Sequence, residues 1–134
     1  MSEAKNVLRN FIHDAWNERL PDACDNHLAE DYLHYLPGMP EPMVGPEGYR
    51  QLMAVFTAGF PDLRMNIEQI FSEGDKVCAV WTATGTHQGE FNGLAATGKE
   101  ISLRGVAVGQ VEAGKLKNVL SMFDNSDLAK QLQD

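Results

Sequence analysis

The sequence has few basic residues, and those few are scattered. Of its 134 residues, 11 are Lys or Arg and 19 are Asp or Glu, so the formal net charge is −8 at pH 7. Nucleic-acid binding relies on grouped Lys and Arg side chains that face phosphates, so this balance argues against a nucleic-acid partner. The same shortage of positive charge disfavours an anionic membrane surface. We therefore expect no nucleic acid and no membrane among the partners.

Long apolar runs are also missing. The N-terminal residues Met-Ser-Glu-Ala-Lys lack the apolar stretch of a secretory signal. No run of about 18 apolar residues is present to form a membrane-spanning helix. The sequence therefore predicts a soluble, cytoplasmic protein.

Cysteine and histidine are scarce and do not form metal-binding patterns. Cys24 and Cys78 lie far apart in different predicted elements, which favours free thiols over a disulfide or a zinc knuckle. The four histidines are His13, His27, His34 and His87. Their spacing does not place two ligands one helical turn apart, as in the H-x-x-x-H pattern. We therefore predict no metal.

The remaining composition is that of an ordinary globular domain. Hydrophobic residues make up 43% of the chain and charged residues 22%. A chain of this length buries roughly two-thirds of the surface that its unfolded form exposes. We therefore predict a single domain that spans residues 1–134.

The N-terminal half shows helical periodicity. Apolar residues recur at three- and four-residue intervals from Val7 to Trp16, which predicts an amphipathic helix with Ser2 as a candidate N-cap. Pro21 is well placed to begin a second, short helix, and a third is predicted from Pro46 to about Gly59. Between the last two, Tyr32–Leu36 is predicted as a short strand that ends in a Pro-rich loop.

The C-terminal half has the pattern of a β-meander. Apolar residues alternate with polar ones from Leu63 to Phe71, and a Gly-containing turn leads to a second strand over Val77–His87. Two further long strands lie between Thr97 and Asp124, and a short helical tail follows. The predicted order is α-α-β-α-β-β-β-β-α. It indicates an α+β fold in which a curved, mostly antiparallel sheet wraps around three N-terminal helices and leaves a conical, apolar hollow.

One carboxylate stands out at the end of the last strand. Asp124 follows an apolar strand and precedes the helical tail. An aspartate in this position is favoured as a helix N-cap. It is equally placed to project into the hollow as a catalytic acid and base, because desolvation there would raise its pKa. The two roles are not exclusive.

Several short motifs follow one another along nearly the whole chain. They are Asp14–Asn17, Leu28–Tyr32, Phe60–Leu63, Glu73–Asp75, Gly85–Phe91, Thr97–Lys99, Gly114–Lys115 and Asp124. With these motifs in this order, the chain resembles the SnoaL-like polyketide cyclase family. That family belongs to the superfamily named for nuclear transport factor and shared by ketosteroid isomerase.

The resemblance implies a cone-shaped α+β barrel that works without metal or organic cofactor, usually as a dimer or tetramer. Its best-understood members close a polyketide ring by intramolecular aldol chemistry, with an aspartate as general acid and base at the position of Asp124. We therefore expect a cofactor-free polyketide cyclase or isomerase that acts on a hydrophobic carbonyl substrate. The alternative is a non-catalytic small-molecule-binding protein of the same fold. A hydrolase would need a second acid or an Arg opposite Asp124, and the sequence supplies no obvious one.

The chain departs from the family pattern around the expected site. Tyr35 stands where the family commonly has a histidine, with His34 one step out of phase, so only one of the two can face inward. Gln110 replaces a basic residue, while Asn118 and Leu120 replace Glu and Trp. The candidate substrate-binding residues are Tyr35, His34, Gln110, Asn118, Leu120, Met122, Trp16 and His87.

Three of these candidates have a structural alternative. Trp16 lies on the apolar side of its helix, where a large aromatic is more often part of the core than a ligand contact. His87 closes a Thr-rich strand and is more often a hydrogen-bonded rim residue than a proton shuttle. Tyr35, if it faces inward, can donate to a carbonyl, but a half-buried tyrosine is the more common case.

The long strands predict a second apolar surface. Their alternating faces leave the outside of the sheet to be covered by another copy of the chain. A homodimer that binds a small hydrophobic ligand or substrate is therefore expected.

Overall fold

The computed structural model of the chain describes residues 3–133, apart from the side chain of Asn125, so the candidate N-cap Ser2 lies outside the described residues. The helices are α1 (Glu3–Ile12), α2 (Ala23–His27), α3 (Gly45–Gly59) and α4 (Asn125–Leu132). A π-helical turn, His13–Asn17, continues α1. The strands are β1 (Leu28–Tyr35), β2 (Met43–Val44), β3 (Arg64–Glu73), β4 (Lys76–Thr86), β5 (Glu100–Glu112) and β6 (Lys115–Phe123).

The six strands form one curved sheet in the order β2-β1-β6-β5-β4-β3. All neighbouring strands are antiparallel except β1 and β6, which run parallel. The N-terminal helices pack on one face, so the predicted α+β class is confirmed. The sheet is not closed into a barrel, because β2 and β3 remain as its two edges. The short strand β2 was not predicted, and β1 begins at Leu28 rather than Tyr32.

Side chains on the last strand alternate between the helix-covered inner face and the opposite, outer face. Val119, Ser121 and Phe123 face inward, where they line an internal cavity. Leu120 and Met122 face outward and are exposed. This alternation is the ordinary two-residue period of a β-strand.

The orientation of β1 shows which of the neighbouring residues His34 and Tyr35 faces inward. His34 is 3% exposed, whereas Tyr35 is 40% exposed. The pairing of β1 with β6 shifts register between Leu28 and Leu33. Leu28, Tyr32 and His34 are all buried and have the same parity along β1, so the ordinary alternation of the strand carries His34 to the interior.

Two composition-based expectations can be compared with the described chain. Both Cys24 and Cys78 are free thiols, as predicted. Within residues 3–133, no helix combines the length and the apolar character needed to cross a membrane. Cytoplasmic location stays a prediction.

Candidate active site

An apolar cavity lies between the N-terminal helices and the inner face of the sheet. We call it the inner cavity, and its volume is about 80 Å³. Among the described residues, no Asp, Glu, Lys or Arg lines it. Its walls are formed by Leu8, Phe11, Ile12, Trp16, Tyr32, His34, Leu36, Tyr49, Leu52, Phe56, Phe60, Leu63, Met65, Trp81, Ala83, Ile101, Leu103, Ala107, Val119, Ser121 and Phe123.

Two hydrogen-bonded pairs give the inner cavity a polar wall. Nε1 of Trp16 donates to the hydroxyl of Tyr49 at 2.7 Å. The hydroxyl of Tyr32 lies 2.7 Å from Nδ1 of His34. The pairs are adjacent, since the rings of His34 and Tyr49 meet edge to face with centroids 4.9 Å apart. Four polar side chains from three elements therefore form one cluster, which we call the polar wall.

Burial fixes the protonation of the polar wall. Desolvation lowers the pKa of His34 from 6.5 to about 4, so its imidazole is neutral at pH 7. Burial also raises the pKa of Tyr32 well above its ordinary value. The pKa of Tyr49 is raised for the same reason. The wall therefore presents neutral groups that can share or donate protons without carrying charge.

The π-helical turn sets the position of Trp16. A π-turn inserts an extra residue into a helix, and such insertions are frequent at functional sites. Here the turn is anchored to β3 by Asn17, whose Nδ2 donates to the carbonyl of Met65 and whose Oδ1 accepts from its amide, both at 2.8 Å. Trp16 is thus held against Tyr49 by a fixed backbone. The core interpretation and the cavity-lining interpretation of Trp16 both apply.

Asp124 lies outside the inner cavity. Its side chain is exposed and caps α4, with Oδ1 accepting from the amide of Asp127 at 3.2 Å. The N-cap interpretation is confirmed, whereas the expected placement of this carboxylate inside an apolar hollow is wrong. A catalytic role for Asp124 stays a prediction.

Asp124 borders a second, open depression, which we call the outer hollow. It is lined by Pro37, Val80, Arg104, Gly105, Val106, Met122, Phe123 and Asp124. Phe123 lines both the outer hollow and the inner cavity, so the two spaces approach each other at this residue. Arg104 shares the outer hollow, but it donates to Glu68 at 2.6 Å.

Five predicted substrate-binding residues belong to the outer side of the sheet. Tyr35, Leu120 and Met122 are exposed there. Gln110 donates to Asp75 at 3.0 Å and accepts from Asn118 at 3.3 Å. The residues that share parity with Asp124 do point the same way, as expected, but that direction is outward. The predicted orientation of this wall is wrong, because the alternate residues of β6 line the inner cavity.

His87 is buried, not placed at a rim. It is 0% exposed and does not line the inner cavity. Its Nδ1 lies 2.9 Å from the hydroxyl of Thr97 and accepts from the amide of Thr97 at 3.2 Å. The imidazole therefore fastens the loop between β4 and β5. The prediction that His87 is a rim residue is therefore wrong, and its position does not support a role in substrate binding.

Of the predicted residues, His34 and Trp16 meet at the inner cavity. Sequence reasoning missed Tyr32, Tyr49 and Ser121. Tyr32 has the same strand parity as His34, which was a usable signal once His34 was assigned inward. Tyr49 lies on the apolar face of α3, where it looks like any core aromatic. Among residues 3–133, no group of three or more His, Cys, Asp or Glu side chains could hold a metal ion.

The fold and the inner cavity define a class of small α+β proteins, in which a curved open sheet packs over N-terminal helices around an apolar chamber. Within this class, the chain belongs to the SnoaL-like polyketide cyclase family, whose model matches residues 6–132. The resemblance carried by the sequence motifs is thereby confirmed. Comparison with curated proteins found no match.

Solved structures agree with this membership. The chain is similar to a candidate polyketide cyclase from Acidithiobacillus ferrooxidans, with 30% identity and a TM-score of 0.86 over 98% of this chain and 94% of that one. It is also similar to AclR, a candidate hydroxylase from Streptomyces galilaeus, with 29% identity and a TM-score of 0.85 over 98% and 96%. A candidate SnoaL-like polyketide cyclase from Jannaschia sp. CCS1 reaches a TM-score of 0.90 over 98% and 92%, but at 18% identity it supports the fold alone. Because the activities named for these proteins differ, the fold does not fix the reaction.

Proposed function

We propose that this chain is a cofactor-free cyclase or isomerase that moves a proton next to the carbonyl group of an apolar substrate. The observation that carries the proposal is the inner cavity itself, an apolar chamber whose polar wall consists of neutral hydrogen-bonding groups. Such a chamber desolvates a carbonyl compound and strengthens every hydrogen bond to it. Aldol-type ring closure begins with removal of a proton beside a carbonyl, and it suits this environment.

The size of the inner cavity limits how the substrate binds. Sites for drug-sized ligands usually measure about 300–1,000 Å³, well above the 80 Å³ found here. A single small ring fits the enclosed space more readily than a polycyclic molecule does. In the proposed function, the reacting end of the substrate enters the inner cavity, and the remainder displaces Phe123 or extends beyond it.

Phe123 also connects the proposal to Asp124. Phe123 lines both the inner cavity and the outer hollow, and the next residue, Asp124, borders that hollow. In the proposed function, Phe123 moves when the substrate binds, and the substrate then reaches from the inner cavity to the outer hollow. Asp124 would then exchange the proton at the outer hollow, while the polar wall binds the carbonyl group inside the inner cavity.

The alternative is a non-catalytic carrier of an apolar ligand. It is favoured by the lack of a charged side chain among the described residues that line the inner cavity. A carrier needs only the apolar walls and one or two orienting hydrogen bonds. It does not need Asp124.

Deuterium exchange separates the two functions without knowledge of the natural substrate. Cyclopentanone and 1-indanone would be incubated with the protein in D₂O, and deuterium at the carbon beside the carbonyl would be measured by mass spectrometry. The cyclase or isomerase hypothesis expects exchange above the buffer rate. Asp124→Asn should then slow exchange by roughly 10²–10⁴-fold, the usual contribution of a general base. Asp127→Asn, in the first turn of α4, is the matched control and should retain exchange.

Two other results would change the conclusion. Exchange that persists in Asp124→Asn would remove this aspartate from the reaction and leave the cavity function in place. Binding of the ketones without exchange by the unaltered protein would favour the carrier.

We also propose that the chain functions as a homodimer through the outer face of its sheet. Five residues that pair laterally form one row across that face: Tyr35, Leu120, Val108, Cys78 and Phe71. Apart from the half-buried Cys78, each is an exposed large apolar residue. A continuous apolar row on a self-complementary sheet face suits an isologous contact with a second copy.

A further inference from the structure

Each hydrogen-bonded pair of the polar wall ends in a donor that is not used. The hydroxyl oxygen of Tyr49 accepts from Trp16, which leaves the hydroxyl proton of Tyr49 free to donate. Among residues 3–133, no acceptor stands within hydrogen-bond distance of it. Tyr49 is 6% exposed and lines the inner cavity. A buried hydroxyl proton without an acceptor is costly, so a ligand that accepts it is stabilised.

The second pair has a defined direction. The hydroxyl of Tyr32 has no polar partner among the described residues other than Nδ1 of His34. Tyr32 is 0% exposed, and Nδ1 is the acceptor that the described residues offer to its proton, so we take the hydroxyl as the donor. Nδ1 is then the acceptor nitrogen of a neutral imidazole, and the proton of His34 sits on Nε2.

This tautomer turns His34 into a donor. Its Nε2 has no hydrogen-bond partner among the described residues, and the side chain lines the inner cavity. His34 therefore carries a spare N–H, in the same way that Tyr49 carries a spare O–H. The two rings pack edge to face with centroids 4.9 Å apart, and both side chains line the inner cavity.

We propose that His34 and Tyr49 form a two-donor site that binds the carbonyl oxygen of the ligand in the inner cavity. Tyr32 acts as the positioning residue that fixes the tautomer of His34, and Trp16 has the corresponding role behind Tyr49. The inference deepens the proposed function, on which it rests for the substrate class. It also holds for a carrier of ketones or esters.

The chemistry of the two donors selects an oxygen acceptor. A carbonyl oxygen has two lone pairs and no proton of its own, so it can accept from both donors at once. The hydrogen bond from Trp16 polarises the hydroxyl of Tyr49, and the hydrogen bond from Tyr32 polarises the imidazole of His34. Each polarised group then forms a stronger hydrogen bond to the ligand. If a proton is removed beside the carbonyl, negative charge develops on that same oxygen. Neutral, fixed donors aimed at that position stabilise it.

The test compares two ligands of almost the same shape. Cyclopentanone has a carbonyl oxygen where methylenecyclopentane has a CH₂ group, and both are small. Dissociation constants would be measured by ligand-observed NMR titration with the unaltered protein and two double variants. One variant combines Tyr32→Phe with His34→Leu, and the other combines Trp16→Phe with Tyr49→Phe. Removing both members of a pair avoids leaving a buried polar group without a partner.

Each double variant should weaken cyclopentanone relative to methylenecyclopentane by about two- to tenfold, the usual effect of losing one hydrogen bond. A change in cavity shape alone would change the dissociation constants of both ligands by the same factor, and that result would overturn the proposal. Ligand binding is measured without turnover. A protein that shows the oxygen preference but no deuterium exchange would therefore retain the two-donor site while losing the proposed enzymatic function.

Two measurements on the unaltered protein keep the test independent of how the variants fold. Nitrogen-15 NMR of the imidazoles should find His34 as the Nε2–H tautomer, and an Nδ1–H tautomer would contradict the proposed direction. Infrared spectroscopy of carbonyl-labelled cyclopentanone should place the bound C=O stretch below its frequency in hexane. An unshifted stretch would mean that no donor reaches the oxygen.

Discussion

Tyr32 and His34 stand two residues apart on β1, face the same side of the sheet, and join through a 2.7 Å contact between the tyrosine hydroxyl and Nδ1. Their rings are also stacked, with centroids 5.9 Å apart. The pair is closed off from solvent by the helices and the rest of the sheet. Its protonation is therefore tied to folding.

Acid should destabilise the protein through His34. Its pKa is about 4 in the folded chain and about 6.5 when unfolded, so between these values the unfolded state binds more protons. The contribution of neutral His34 to the free energy of unfolding is complete above pH 6.5 and is lost as the pH falls toward 4. The total loss is about 3 kcal/mol at most. Urea unfolding from pH 7 to pH 4 would measure it. In His34→Gln, the free energy of unfolding should fall less steeply with pH than in the unaltered protein. In His13→Gln, which changes an exposed position, it should fall as steeply as in the unaltered protein.

Asp124 offers a way to separate helix capping from catalysis. Asp124→Ala removes the cap of α4 and should lower the free energy of unfolding by about 1 kcal/mol. Asp124→Asn keeps a side-chain acceptor and should cost much less. Thermal and urea unfolding of both variants would check this. Equal losses would mean that the carboxylate charge, and not the cap, stabilises the helix.

Gly105 should not tolerate a side chain. It lies between Trp81 and Phe123 in one lateral row of the inner face. A Cβ there would collide with the indole of Trp81 and come within 2.7 Å of the carbonyl of Met122. Gly105→Ala is therefore expected to lower the free energy of unfolding by about 1–3 kcal/mol, because the added methyl group overpacks the interior.

Gly109 on the same strand is the matched control for that change. Its added Cβ would come no closer than 3.1 Å, to a methyl group of Val119. Gly109→Ala should thus be milder. Equal effects of the two substitutions on urea unfolding would show that strand propensity, and not the contact with Trp81, decides the cost.

The proposed dimer makes a prediction for the outer face. Leu120→Glu places a charge within the apolar row and should convert a dimer into a monomer of 14.8 kDa. Leu94→Glu is the control, because Leu94 is equally exposed at 43% but lies in the loop between β4 and β5. Sedimentation analysis at micromolar concentration would measure both. A monomeric unaltered protein would contradict the dimer.

Much of the fold was predictable from the sequence, because periodicity and turn residues determine helices and strands locally. The helix that ends at Gly59 and the hairpin around Gly74 are examples. The orientation of β6 was not predictable in the same way. Both of its faces carry apolar residues, and a shift of one position exchanges the faces.

The polar wall could not be assembled from sequence for a different reason. Trp16 and Tyr49 belong to separate helices, and each alone fits a core position. Only the packed structure brings their polar atoms to 2.7 Å. Similarly, both faces of β1 carry apolar or aromatic residues, with Leu28 and Tyr32 on one and Leu33 and Tyr35 on the other, so the local pattern does not decide whether His34 or Tyr35 faces inward.

The parallel pairing of β1 with β6 has a consequence for biosynthesis. The strand that bears Tyr32 and His34 gains its neighbour only after β6 has been synthesised, because β6 follows the other described strands along the chain. Long-range pairings of this kind form slowly and leave edges open to other chains in the meantime. A nascent chain that stalls before Lys115 would keep β1 without that neighbour, so ligand competence should appear only after β6 has left the ribosome.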